Sequence, residues 1–100
     1  MPVTPKILRR AAAATSSATL YTTPSATTTI VTEITVTNTS GGSLTFSINL
    51  DGIELFSTLS IAANTTTTYS MKQVLTATKL ITGLASATDV NFFIAGVEIT

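Results

Sequence analysis

The stretch from Ile30 to Leu55 constrains this chain most, because it carries an alternation that only an extended strand can use. Leu44, Phe46, Ile48 and Leu50 alternate with Thr45, Ser47 and Asn49, which puts the apolar side chains on one face and the polar ones on the other. Asp51-Gly52 follows at once and reads as the centre of a type I′ hairpin turn, whose two central residues both need positive φ. The turn leads into a return strand, Ile53-Glu54-Leu55-Phe56. Ahead of the hairpin, Asn38-Thr39-Ser40-Gly41-Gly42 offers residues that tolerate positive φ between it and an earlier strand, Thr27 to Thr37. Simple alternation there predicts Ile30, Ile34 and Val36 on one side with Thr32, and Val31 on the other with Glu33, Thr35 and Thr37. A sheet with one apolar face follows.

Turn signals recur along the rest of the chain about every ten residues, the spacing of an all-β sandwich or barrel. Ala18 to Thr22 predicts a short strand stopped by Pro24. Leu59 and Ile61 point inward before a turn at Ala62-Ala63-Asn64, and Thr67, Tyr69 and Met71 share one side of the next strand, from Thr65. Lys72 to Thr78 is compatible with a short helix or with a loop over the end of the sandwich. Lys79 to Ala85 predicts a strand in which Gly83 marks a bulge. Val90 to Ile99 is the last strand, with Phe92 and Ile94 on one face and Phe93, Val97 and Ile99 on the other. Apolar residues on both faces make it either a central, covered strand or an interface strand. The fold expected is an all-β antiparallel sandwich of about seven or eight strands, jelly-roll-like.

Residues 1–17 read as an extended arm and residues 18–100 as the sandwich domain. Pro2 and Pro5 resist regular structure, and Ala11 to Ala14 suffice for at most one helical turn. Such an arm either folds back on its own domain or docks on a neighbouring subunit, and docking is the expectation. Ile7 and Leu8 would then be apolar anchors, and Lys6, Arg9 and Arg10 would meet an acidic patch, adding to association rate more than to affinity.

Composition removes most chemistry. The chain has no cysteine and no histidine, so disulfides and thiolate or imidazole metal sites are excluded, and no base stands ready for a serine nucleophile. Five acids are too scattered for a calcium site or for two carboxylates facing one sugar, Asp51 with Glu54 and Asp89 with Glu98 being the nominal pairs. No basic stripe is present to neutralise phosphates, and no apolar run approaches the roughly 18 residues of a membrane span. The start lacks the charged-then-apolar order of a signal peptide, as expected of a cytosolic product. Asn38-Thr39-Ser40 and Asn64-Thr65-Thr66 match a glycosylation pattern, but among 23 threonines and 10 serines they read as turns. Tyr21, Tyr69 and the four phenylalanines are too dispersed for a stacking platform and read as core. No catalytic residue and no cofactor are expected. Only seven charged residues lie in residues 18–100, so the strand faces lack the charges that keep exposed apolar surface from pairing.

Four segments carry a resemblance: Thr19-Leu20-Tyr21-Thr22-Thr23-Pro24, Ile34-Thr35-Val36-Thr37-Asn38-Thr39-Ser40-Gly41, Ile61-Ala62-Ala63-Asn64-Thr65-Thr66, and the ending Val90 to Thr100. Together they resemble small virion structural proteins of tailed bacteriophages. The likeness leaves the arm outside and departs at Lys72 to Thr78. It implies a capsid decoration or accessory subunit, or a neck or tail component, made in the host cytoplasm and found in the virion. Its partners would be other virion proteins and further copies of itself, met through the arm and through Phe93, Val97 and Ile99, without nucleic acid or membrane. A host-receptor or carbohydrate-binding module on a phage fibre is the alternative, and would present a few exposed aromatic rings converging on one face.

Overall fold

The alternating run Leu44–Leu50 is the fourth of eight strands in a computed structural model that describes residues 3–100. Pro2, with what its ring would do to the arm, lies outside the described residues. The strands are β1 (Val3–Ala12), β2 (Ala18–Thr22), β3 (Thr28–Asn38), β4 (Leu44–Leu50), β5 (Ile53–Ile61), β6 (Thr65–Leu75), β7 (Leu80–Ala85) and β8 (Val90–Ile99). They form two four-stranded sheets, ordered β1-β8-β3-β6 and β2-β7-β4-β5, with every pairing antiparallel. Only the β4–β5 connection stays within one sheet; every other connection crosses between sheets. That nesting is a jelly roll.

Between the sheets lie Val31, Ile34, Val36, Phe46, Ile48, Ile81, Val90, Phe92 and Ile94, all essentially without solvent contact. Phe46 is the hub: its ring centroid is 5.8 Å from Phe56, 6.0 Å from Phe92 and 6.4 Å from Tyr69, and the first two pairs meet edge-on. The aromatic residues that looked dispersed along the chain are thus largely gathered in one place.

The stretch read as a separate arm is placed differently. Residues 3–12 form β1, an edge strand paired with β8 from Val3 opposite Ile99 to Ala12 opposite Asn91. Pro5 is tolerated because an edge strand turns one row of N–H groups to solvent. Ala13 and Ala14 do not form a helical turn. They carry the chain between sheets, the Ala13 N–H bonding the Val90 carbonyl at 2.7 Å and the Ala14 carbonyl accepting from the Ala85 N–H at 2.9 Å. Small side chains allow that crossing at close range.

Three further expectations change at irregularities of the ladders. In β3 a bulge at Thr32 reverses the phase, so Val31 joins Ile34 and Val36 in the core while Ile30 turns outward. β6 runs on to Leu75, pairing Val74 with Ile30 and Leu75 with Thr29, where a loop or short helix was the reading. The bulge near Gly83 lies on its partner β2, at Leu20. A Cβ at Gly83 would sit 3.0 Å from Leu20 Cδ1 and 3.0 Å from the Ser47 carbonyl oxygen, so close approach explains this glycine.

Both turns of the central hairpin region have local causes. Asp51 and Gly52 hold φ of 53° and 75°, as a type I′ turn requires. The Asn38–Gly42 turn instead keeps its glycines out of the left-handed region, and the fully buried Asn38 organises it. Its amide nitrogen donates to the carbonyls of Gly42 (2.8 Å), Ile61 (3.2 Å) and Ala62 (3.2 Å), and its oxygen accepts from the Ser40 N–H and hydroxyl. One side chain therefore ties the β3–β4 turn to the β5–β6 turn.

Candidate assembly surface

The outer face of the β1-β8-β3-β6 sheet is where apolar side chains meet solvent. Because β3 changes phase at Thr32, residue pairs line up across all four strands: Pro5 is opposite Val97, Val97 opposite Ile30, and Ile30 opposite Val74. The next row outward holds Val3 and Ile99, and the next inward holds Ile7 and Ala95. Val74 is 61% exposed, Val3 58%, Ile7 47% and Phe93 36%. These residues form one patch at one end of the sheet, where a soluble monomer would carry charge.

The patch has a hollow. Leu8 in β1 and Thr32 in β3 are the extra residues of two bulges that flank Ala95 and Gly96 on either side of β8. They open a depression of about 450 Å³ lined by Pro5, Ile7, Thr32, Ala95 and Val97. Toward the other end the face becomes polar, with the hydroxyls of Thr35 and Thr68, and of Thr37 and Thr66, each 3.1 Å apart. The charges that face outward beside β8 are Arg10, opposite Phe93, and Glu33, opposite Ala95. Neither forms an ion pair among the described residues.

The residues expected to bind partners divide accordingly. Ile7, Phe93, Val97 and Ile99 share this outer face, and Arg9 and Arg10 are exposed. Leu8 is not available as an anchor, since the bulge turns it into the core. Lys6 is also engaged: its ammonium lies 3.3 Å from Glu98 in β8. Ile30, Val74 and Val3 were missed. For Ile30 only the bulge at Thr32 decides that it and not Val31 faces outward, whereas Val74 follows the plain alternation of Tyr69 and Met71 once β6 is carried on to Leu75.

Glu98 closes a polar cluster at the end of the sandwich beneath this face. It accepts a short hydrogen bond from the Tyr21 hydroxyl, which in turn accepts from the Thr29 hydroxyl at 2.8 Å. Burial, and then the Glu98 carboxylate, push the Tyr21 phenol from 10.0 up to about 12. The same hydrogen bond, with help from Lys6, holds the Glu98 carboxyl below its usual range. This network ties β1 and β8 to β2 of the opposite sheet.

The other acids are apart. Asp51 sits in the hairpin turn, 3.7 Å from Lys79, beside a cavity of about 380 Å³ lined by Gly52, Thr78, Leu80 and Thr82. Asp89 precedes β8 and Glu98 nearly ends it, so they lie about 30 Å apart along the strand. Asn38 and Asn64 both belong to turns, Asn64 at φ 50°. Among the described residues no helix is long and apolar enough to cross a membrane.

No protein-family model matches the sequence, and no curated protein does. Among solved structures, the fold is similar to a chain of the T13 IBDV viral particle, with a TM-score of 0.57 and 12% sequence identity. The match covers 97% of this chain and 30% of that one, so this chain spans under a third of the neighbour's length. The likeness is one of fold, an eight-stranded sandwich of two sheets.

Proposed function

We propose that the chain is a non-enzymatic structural subunit of a bacteriophage virion, most specifically a capsid decoration or accessory protein. It assembles with virion proteins, whether further copies of itself, the major capsid protein or neck or tail proteins, and the outer face of the β1-β8-β3-β6 sheet is an assembly surface. The observation that carries this reading is the row Pro5, Val97, Ile30 and Val74, apolar across four strands and open to water in a chain otherwise dressed with hydroxyls. A free monomer gains nothing from such a row, whereas covering it releases the bound water at about 25 cal/mol per Å². The similarity of nearly the whole chain to part of a viral-particle chain supports the same reading. On this view Phe93, Val97, Ile99 and Ile7 make the contact and Arg10 orients it. Immunogold labelling of purified particles tests the proposal, label on shell, neck or tail being the expected result. Absence of the chain from particles overturns it.

A further inference from the structure

We infer that the occupant of this outer face is a second copy of the chain, docked sheet to sheet about a two-fold axis that runs along β8. The inference rests on the reading of this face as an assembly surface and adds the identity of the partner.

The argument is one of self-complementarity. In a two-fold contact the same patch serves both copies, so each charge must find its opposite on its own surface. An axis along β8 keeps each row of residues at its own height and exchanges the two sides of the strand. The apolar rows then meet each other: Val97 lies over Val97, Pro5 over Ile30 of the second copy, and Val3 over its β3 side. Arg10, on the β1 side at the level of Phe93, lands over the Thr35 position of the second copy. That position is one pair along the strand from Glu33, a rise of about 6.8 Å. Two Arg10–Glu33 encounters arise, one on each side of the axis, from two charges that have no ion-pair partner within the chain among the described residues. Aligned sheets pack about 10 Å apart, a gap that an extended arginine and a glutamate span together.

A partner of different sequence fits less well. A partner rim of one sign fits less well, since Arg10 stands on one side of the central strand and Glu33, with Lys72 beyond it in β6, on the other. An axis across the strands would keep Arg10 on the β1 side and Glu33 on the β3 side of both copies, so the Arg10–Glu33 pairing needs the axis along β8.

Sedimentation equilibrium of the full chain tests this, with circular dichroism melts confirming that each variant is folded. The wild-type chain is expected to sediment as a dimer. Arg10→Glu and Glu33→Arg should each weaken the dimer about tenfold or more by setting like charges together. The double variant, Arg10→Glu with Glu33→Arg, should restore the wild-type association. Val97→Asp, which leaves the charges alone, should give monomers. A monomeric wild-type chain, an unchanged single variant or a double variant that fails to recover would each overturn the inference. A monomer that still labels particles would overturn the dimer and leave the virion role standing; a dimer absent from particles would do the reverse.

Discussion

Asn38 shows how one buried side chain can replace special backbone geometry. All its hydrogen-bonding capacity is used on two turns that each cross between the sheets, so Asn38→Ala strands several carbonyls at once. A loss of about 2–3 kcal/mol is expected in chemical denaturation, well above a typical surface substitution. Tyr21 has a different signature, visible in pH. Its phenol ionises at about 12 in the folded chain against 10.0 ordinarily. The stability it contributes is therefore complete below pH 10 and is lost as pH rises from about 10 toward 12. Thermal melts should show that alkaline loss in the wild type and a flatter alkaline limb in Tyr21→Phe. Glu98 acts at the other end of the scale. Its lowered value means its contribution is present above the ordinary 4.5 and is lost as pH falls through the folded value below it.

At the scale of strands, β8 decides most. It is the centre of its sheet, and both neighbours bulge against it near Ala95. Gly96 sits between them, and a Cβ there would collide with the Ile30 carbonyl oxygen and lie 3.1 Å from Leu8 Cδ1. Gly96→Ala must push β3 away or bend β8, at a cost of about 2–3 kcal/mol. Gly52 has a different constraint, since nothing lies within 4 Å of its missing Cβ and only its φ of 75° matters. Gly52→Val should cost about 1 kcal/mol or more through backbone strain. Denaturation midpoints should therefore fall in the order wild type, Gly52→Val, Gly96→Ala. A Gly52→Val chain as stable as the parent would remove the type I′ turn and, with it, the β4–β5 register.

For the whole molecule, β1 is the part whose status changes most. An arm could be removed without harm to the body, but a strand that pairs along β8, contributes Leu8 to the core and holds Glu98 through Lys6 cannot. Deleting residues 1–12 should abolish the cooperative melt or lower it steeply, and should leave β8 as an unprotected edge that pairs with other chains. Loss of the sharp thermal transition, with aggregation, is the expected outcome. A truncated chain that melts within a few degrees of the full one would return β1 to the role of a detachable arm.

Much of the fold is legible from local pattern. Leu44 to Leu50 has to be a one-sided strand because its alternation matches no other period, and Asp51-Gly52 has to turn because few other pairs accept positive φ twice. β2 and β8 are readable to the residue, and the seven strands from β2 to β8 follow from the spacing of turns. What local pattern cannot carry is phase across a bulge: the extra residue at Thr32 depends on how β3 meets β8 and β6, and it alone sends Val31 inward and Ile30 outward. The same holds for β1, where Pro5, two arginines and a run of alanines look like an arm until β8 supplies the missing ladder. The assembly surface joins Phe93, Val97 and Ile99, which alternation places correctly, to Ile30, Ile7 and Val3, which only the pairing with β8 places. Sequence determined which residues are apolar and that charges are few; only the pairing of strands distant in the chain decided which of those residues face water, because a bulge is a property of two strands and not of one.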